Sequence, residues 1–293
     1  MSKKLKSLCA LICTALLMLT MCFSASGIFL EGADMQTAEY DSFSRVPVYL
    51  NGEYAIDALM SGGTSYVSVN GFCEKLLGES CSLRWNSPES ALIVSSGSFE
   101  FSIDLSDHYI EVSERCLSLN GNVYNVDGDI HIPIRPLAKA LGAGLSWLGD
   151  GDAPSISISR SPEDAIVPGS EFYDAEDFYW LSRVIYAEAG NQPMAGMIGV
   201  GNVVLNRVSD EKAFFPDTVA GVIFQPGQFS VVDAGSIYSE PSSRSIVAAK
   251  LCLDGCSTVG DSLFFLNPSI SNSAWFDANL SFRLSIGEHH FYA

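Results

Sequence analysis

The sequence predicts an α+β chain of two domains, on three observations. Its 293 residues exceed one ordinary domain. A strand–helix–strand pattern occurs twice in the amino-terminal half, and helix-period segments followed by short strands fill the carboxy-terminal half. With 47% hydrophobic and 17% charged residues the chain can bury a core, which excludes disorder. The formal charge is -18, from 34 acidic and 16 basic residues. Such a surface repels phosphate backbones and anionic lipid, so nucleic acid is excluded as a partner.

The first residues carry Lys3, Lys4 and Lys6, then an apolar run from Leu8 to Phe23, then Ser24-Ala25-Ser26-Gly27. That order predicts a secretory signal peptide over residues 1–26 and a secreted or wall-associated product with no membrane segment after cleavage; retention of the run as an anchor is the alternative. Residues 27–44 are polar and aperiodic and read as a spacer. Cys73, Cys81, Cys116, Cys252 and Cys256 lie beyond the leader. Five cannot all pair within one chain and no Cys-x-x-Cys occurs, so small buried hydrophobes are the better account of most of them.

Residues 45–159 repeat themselves. Val46-Pro47-Val48-Tyr49-Leu50-Asn51-Gly52 is echoed by Cys116-Leu117-Ser118-Leu119-Asn120-Gly121, each an alternating strand ending in the Asn-Gly of a tight hairpin. Tyr66-Val67-Ser68-Val69 is echoed by His131-Ile132-Pro133-Ile134, each feeding a short helix, over 71–77 and 136–141, that stops at Gly78 or Gly142. Trp85 and Trp147 follow, then the alternating strands Ala91-Leu92-Ile93-Val94 and Ser155-Ile156-Ser157-Ile158. This order resembles the copper amine oxidase N-terminal-like domain of exported Gram-positive proteins, for which a binding or spacing role is expected. The name does not bring a metal: His108 and His131 have no carboxylate or Cys at ligand spacing. Residues 160–176, with Ser161-Pro162 and Pro168-Gly169-Ser170, read as a linker. Residues 27–175 hold 22 acids against 7 bases, and residues 176–293 hold 12 against 6, so most of the acidity belongs to the accessory half.

Residues 177–293 read as the second domain. Over 177–189 a helix places Leu181, Val184, Ile185 and Glu188 on one face. A carboxylate at the end of an apolar face loses hydration, so its pKa rises unless a cation pairs with it. A carboxyl kept protonated is what a general acid for glycoside cleavage requires; a Glu paired with a core Arg or capping a helix is the structural alternative. A second helix over 194–208 is apolar nearly all round, with Gly196, Gly199 and Gly201 suited to close helix approach. A short helix from Phe215-Pro216-Asp217-Thr218 through Phe224 meets the loop Gln225-Pro226-Gly227-Gln228-Phe229-Ser230, whose amides, hydroxyl and ring suit sugars. Ser239-Glu240-Pro241 opens a helix to about Cys252. Residues 263–268 form a strand, Trp275-Phe276 lie in a loop, and residues 283–292 form a final strand with His289 and His290 on opposite sides. No motif supplies the third ligand that a metal on those histidines requires, and no cofactor motif is present.

Ala187-Glu188-Ala189, Gly199-Val200-Gly201-Asn202-Val203-Val204-Leu205-Asn206-Arg207-Val208, Val222-Ile223-Phe224-Gln225-Pro226-Gly227-Gln228-Phe229-Ser230, Phe265-Leu266-Asn267-Pro268 and Ile286-Gly287-Glu288-His289-His290-Phe291 together resemble the SleB/CwlJ family of cell wall hydrolases, the spore cortex-lytic enzymes. The resemblance spans residues 178–293. It implies a small lysozyme/lytic-transglycosylase-like α/β domain, peptidoglycan glycan strands as substrate, cleavage of the MurNAc–GlcNAc bond, and Glu188 as the catalytic acid. Family members often carry a peptidoglycan-binding repeat upstream, and here the accessory module differs. Most glycosidases need two carboxylates; lytic transglycosylases manage with one, because the muramic acid C6 hydroxyl attacks the anomeric carbon. Gln225, Gln228, Phe229, Ser230, Asn267 and His289 are candidates for lining the saccharide groove. Rival expectations are a hydrolysing muramidase in which Asp210, Asp217, Asp233 or Glu240 positions a water, a non-catalytic peptidoglycan-binding wall protein, and, third, a zinc amidase.

Overall fold

The computed structural model describes residues 35–293 except Glu79, residues 150–152, Pro162 and Ala213. The expected leader and residues 27–34 lie outside the described residues. Residues 36–44, expected as spacer, instead belong to the first domain. There β1 (Gln36–Ala38) adds a parallel edge strand and a 3-10 turn (Tyr40–Ser42) packs beneath it, because Tyr40 and Phe43 cover a cluster of Leu59, Tyr66 and Tyr124.

The first duplicated unit runs β2 (Ser44–Leu50), β3 (Glu53–Ser61), β4 (Thr64–Ser68), α1 (Val69–Leu77), β5 (Ser82–Asn86) and β6 (Ala91–Ser96). Asn51 and Gly52 turn β2 into β3 with φ of 51° and 90°, as their type predicts. Ser68 caps α1 by accepting the Gly71 N–H at 2.8 Å, and Gly78 ends it at φ 84°. Three strands follow, β7 (Phe99–Asp104), β8 (Tyr109–Val112) and β9 (Arg115–Ser118), then β10 (Tyr124–Val126), β11 (Asp129–Pro133), α2 (Ile134–Ala140), β12 (Gly144–Leu148) and β13 (Ser155–Ser159). Asn120-Gly121 does not make the second hairpin. The turn falls at Asp127-Gly128 (φ 51° and 92°), while a Cβ on Gly121 would meet Pro133 Cγ at 2.9 Å, so that glycine serves close packing.

An eight-stranded mixed sheet, β1-β10-β11-β4-β3-β2-β13-β12, faces a five-stranded antiparallel meander, β5 to β9. Between them Val48, Val67, Phe72, Ile103, Ile110, Ile132, Leu137 and Ile158 form one core. Each such side chain contributes roughly 1.5–3 kcal/mol.

Beyond a short α3 (Gly169–Phe172), the second domain is helical. It comprises α4 (Ala175–Ala189), α5 (Met194–Val208), α6 (Val219–Phe224), α7 (Ser230–Asp233) and α8 (Ser243–Leu253), then β14 (Phe264–Leu266), α9 (Ala274–Asn279), β15 (Phe282–Ile286) and β16 (His289–Tyr292). α4, α5 and α8 pack together around Leu181, Val184, Ile185, Val200, Val204, Ala248 and Leu251. Close approach is licensed by glycine: a Cβ on Gly201 would lie 2.6 Å from Cys252 Sγ, and one on Gly199 2.8 Å from Phe291 Cζ. Three expectations are corrected. α8 begins at Ser243 and not at Glu240, because Ser242 rather than Ser239 accepts the capping N–H, from Ser245. Trp275 and Phe276 lie on α9, not in a loop. The final strand is a hairpin, β15 and β16, turned at Gly287 (φ 56°).

The two domains are joined by a buried charge. Asp254, at the end of α8, accepts from Arg115 of β9 (Nε at 3.2 Å, and Nη2), from Lys139 of α2 at 3.1 Å and from the Tyr173 hydroxyl at 2.5 Å. Its side chain and that of Arg115 are 2% and 4% exposed. Cys116, beside Arg115, packs into the second domain's core. Among the described residues no helix is long and apolar enough to cross a membrane.

Candidate active site

α4 carries Glu188 to its place. Asp174 caps the helix, accepting from Glu176 and Asp177 N–H at 2.9 and 3.0 Å. Leu181, Val184 and Ile185 are buried, and Glu188 continues that stripe in the last turn, half-buried. The helix stops at once: a Cβ on Gly190 would sit 2.6 Å from the Tyr186 carbonyl, and Gln192 N–H bonds the Ala189 carbonyl at 2.9 Å.

Burial alone pushes the Glu188 carboxyl above its ordinary range. No neighbouring charge contributes to that shift. Among the described residues no ion pair or hydrogen bond engages it. Neither long-chain cation closest in sequence neutralises it. Arg183 pairs with Glu240 at 3.1 Å, and Arg207 donates to the Leu263 carbonyl at 2.7 Å and lies against Phe215, Phe229 and Phe264. Glu188 is thus a carboxylic acid biased towards keeping its proton.

The segment after Glu188 is tied to the β15–β16 turn. Gln192, buried, accepts the Glu288 N–H at 2.9 Å and donates to the Glu288 carboxylate at 3.3 Å; Asn267 donates to the same carboxylate at 3.2 Å. His289 follows, 6% exposed, its ring 5.2 Å from that of Phe265, and Phe265 is 6.4 Å from Phe229. Burial lowers the His289 pKa, which disfavours the charged imidazolium, and its Nδ1 is buried without a partner.

Of the sequence candidates, Asn267, His289 and Phe229 therefore converge on one wall built around Phe265. Phe229 is buried in that wall, so its ring braces Phe265 and Arg207 and is not offered to a sugar face. Gln225 is turned towards Phe214, donating to its carbonyl at 3.0 Å, while Gln228 and Ser230 stand on the exposed side of the loop. Gln192 was missed by sequence reasoning, because its partner is 96 residues away and a loop glutamine carries no signal of its own. In the first domain, His131 is buried in β11 with Nδ1 3.2 Å from the Asp129 carbonyl, and no group of three His, Cys, Asp or Glu among the described residues is placed to hold an ion. The donor set does not fit copper.

Residues 191–292 match the family model described as Cell Wall Hydrolase, and residues 49–157 match that of the Copper amine oxidase N-terminal domain. Glu188 stands three residues before the first of these spans. The chain is 31% identical over 150 residues to the spore cortex-lytic enzyme of Oceanobacillus iheyensis, covering 51% of this chain and 49% of that protein. It is 31% identical over 140 residues to that of Bacillus subtilis, covering 48% and 44%. The chain thus spans about half the length of these curated relatives. A solved structure described as the catalytic domain of the germination-specific lytic transglycosylase SleB from Bacillus anthracis is 33% identical, covering 43% of this chain and 100% of that one, with a TM-score of 0.39. The chain carries a carboxy-terminal domain of the cell wall hydrolase family, with spore cortex-lytic enzymes among its relatives and a copper amine oxidase N-terminal-like domain upstream.

Proposed function

We propose that this protein degrades peptidoglycan, cleaving the MurNAc–GlcNAc bond of the glycan strand as a lytic transglycosylase, with Glu188 as its single general acid and base. The observation that carries the reading is the Glu188 carboxyl itself: its pKa is raised by burial alone, with no second charge acting on it. The protonated carboxyl donates to the glycosidic oxygen as the bond to the anomeric carbon breaks. The resulting carboxylate then takes the proton of the muramic acid C6 hydroxyl as that oxygen closes on the same carbon. Glu188 ends protonated, no water is consumed, and the product is a 1,6-anhydro sugar.

A hydrolysing muramidase needs a second carboxylate, roughly 5–9.5 Å from the first, to attack or to hold a water. Glu240 is engaged by Arg183 and the Asp210 carboxylate accepts the Lys212 N–H at 3.3 Å, while neither Asp217 nor Asp233 perturbs Glu188. The partly exposed Asn267 amide supplies a hydrogen bond to the glycan without adding a charge, while His289 is buried behind it in the same wall. The arrangement of the acid at the end of an amphipathic helix, on its buried face, accords with a lysozyme-like lytic transglycosylase domain, and a wall or spore-envelope substrate accords with the export leader read over residues 1–26. Purified sacculi test the proposal: the wild-type chain is expected to release soluble fragments and Glu188→Gln to release none. Sedimentation with sacculi and no release by the wild type would make it a wall-binding protein instead.

A further inference from the structure

The first domain carries a groove that the catalytic reading does not use. A cavity of about 420 Å³ lies beside the β12 edge of the eight-stranded sheet, lined by Thr64, Ser65, Asn120, Arg135, Leu145 and Trp147. Trp147 is 44% exposed although it is the largest side chain there, so its ring is held half out of the sheet with no aromatic partner among the described residues. Arg135 stands exposed on α2 and pairs with no carboxylate among the described residues, although acids outnumber bases 22 to 7 over residues 27–175. Its neighbour one turn on, Lys139, is by contrast taken up by Asp254 at 3.1 Å. Arg135, Asn120 and Pro136 also line a second hollow of about 160 Å³, with Ser118 and Cys256, at the seam between the two domains. The two hollows share those three residues, so they adjoin, and together they make a track from Trp147 towards the second domain only across Asn120, Arg135 and Pro136.

We infer that this track binds the peptidoglycan strand, with a sugar ring against Trp147, a stem-peptide carboxylate at Arg135, and hydroxyls and acetamido groups on Asn120, Thr64 and Ser65. The chemistry is selective. An indole face suits the apolar face of a pyranose ring, and a guanidinium not taken up by a carboxylate of its own domain can pair with a stem-peptide carboxylate against the domain's net negative charge. The inference rests on peptidoglycan being the substrate of the second domain and adds where the strand is held while one bond is cut.

The test uses the full-length chain carrying Glu188→Gln, so that bound strands stay intact, and co-sedimentation with sacculi stripped of their phosphate polymers by acid. Trp147→Ala and Arg135→Glu are each expected to weaken binding by about tenfold, the loss of one good contact. Thermal melts check that both variants stay folded. Retention equal to the parent in either folded variant overturns the inference, and so does binding that vanishes when the phosphate polymers are removed, which would make the ligand a phosphate polymer. Fragment release by the wild type separates the two readings. Release together with parent-like binding by the variants overturns the groove alone; no release overturns the catalytic proposal while the tenfold losses still support the groove.

Discussion

Glu188 is unusual in being a half-buried carboxyl with no partner, and that makes its titration measurable. General acid catalysis contributes about 10²–10⁴-fold, so Glu188→Gln is expected to lower fragment release by at least that much. The activity of the wild type should fall as pH rises, with the midpoint of that limb above the unperturbed Glu value of about 4.3, measured by fragment release across a pH series. The folded-state pKa is raised, so the contribution of this group to stability is full below the unfolded value and lost as pH climbs through the folded one. Above the folded-state value the ionised side chain therefore costs stability, and there Glu188→Gln should melt no lower than the wild type by calorimetry. The position of Glu188 was legible in the sequence because Leu181, Val184 and Ile185 mark its helix face. Its freedom from Arg183 and Arg207 was not, since Glu240 and a ring of phenylalanines claim those cations from elsewhere in the chain.

At the scale of elements, α5 shows how a weak helix former can be the best central helix. Gly199 and Gly201 reduce its intrinsic propensity, yet they admit Phe291 and Cys252 against its backbone. Gly201→Ala should destabilise the domain by about 1–3 kcal/mol through overpacking, read as a lower urea midpoint. Adding Cys252→Ala should recover part of that loss, since the two changes share one contact. Helix faces and the Asn51-Gly52 hairpin were legible because their signals are local. The Asp127-Gly128 turn, the start of α8 and the β15–β16 hairpin were not. Asn120-Gly121 and Asp127-Gly128 were comparable turn residues, as Ser239 and Ser242 were comparable caps, and at Gly121 packing against Pro133 decided; at Gly287 the chain turns against Gln192, distant in the sequence.

The whole molecule is held as one body by Asp254, which gathers Arg115, Lys139 and Tyr173 from the first domain and the linker. Burial pushes this carboxyl up, but the hydrogen bonds from Arg115, Tyr173 and Lys139 outweigh it and hold the pKa below the ordinary value. Its contribution is thus present above the unfolded value, about 3.9, and lost as pH falls through the folded one. Asp254→Asn leaves the Arg115 guanidinium buried and unbalanced, at a cost of about 3–5 kcal/mol, and should split unfolding into two calorimetric transitions. Acid that takes the pH below the folded-state value, itself under the unfolded one, should do the same to the wild type. None of this could be read from the sequence, where Arg115 and Asp254 are 139 residues apart and look like ordinary surface charges. Two domains in one body also place the strand-binding track and Glu188 on a single molecule, and the chemistry of the cut then becomes the point to measure. Mass spectrometry of the muropeptides released from sacculi by the full chain should find 1,6-anhydromuramic ends, lighter by one water than reducing ends. A digest made only of reducing ends would contradict a single unassisted carboxyl at Glu188.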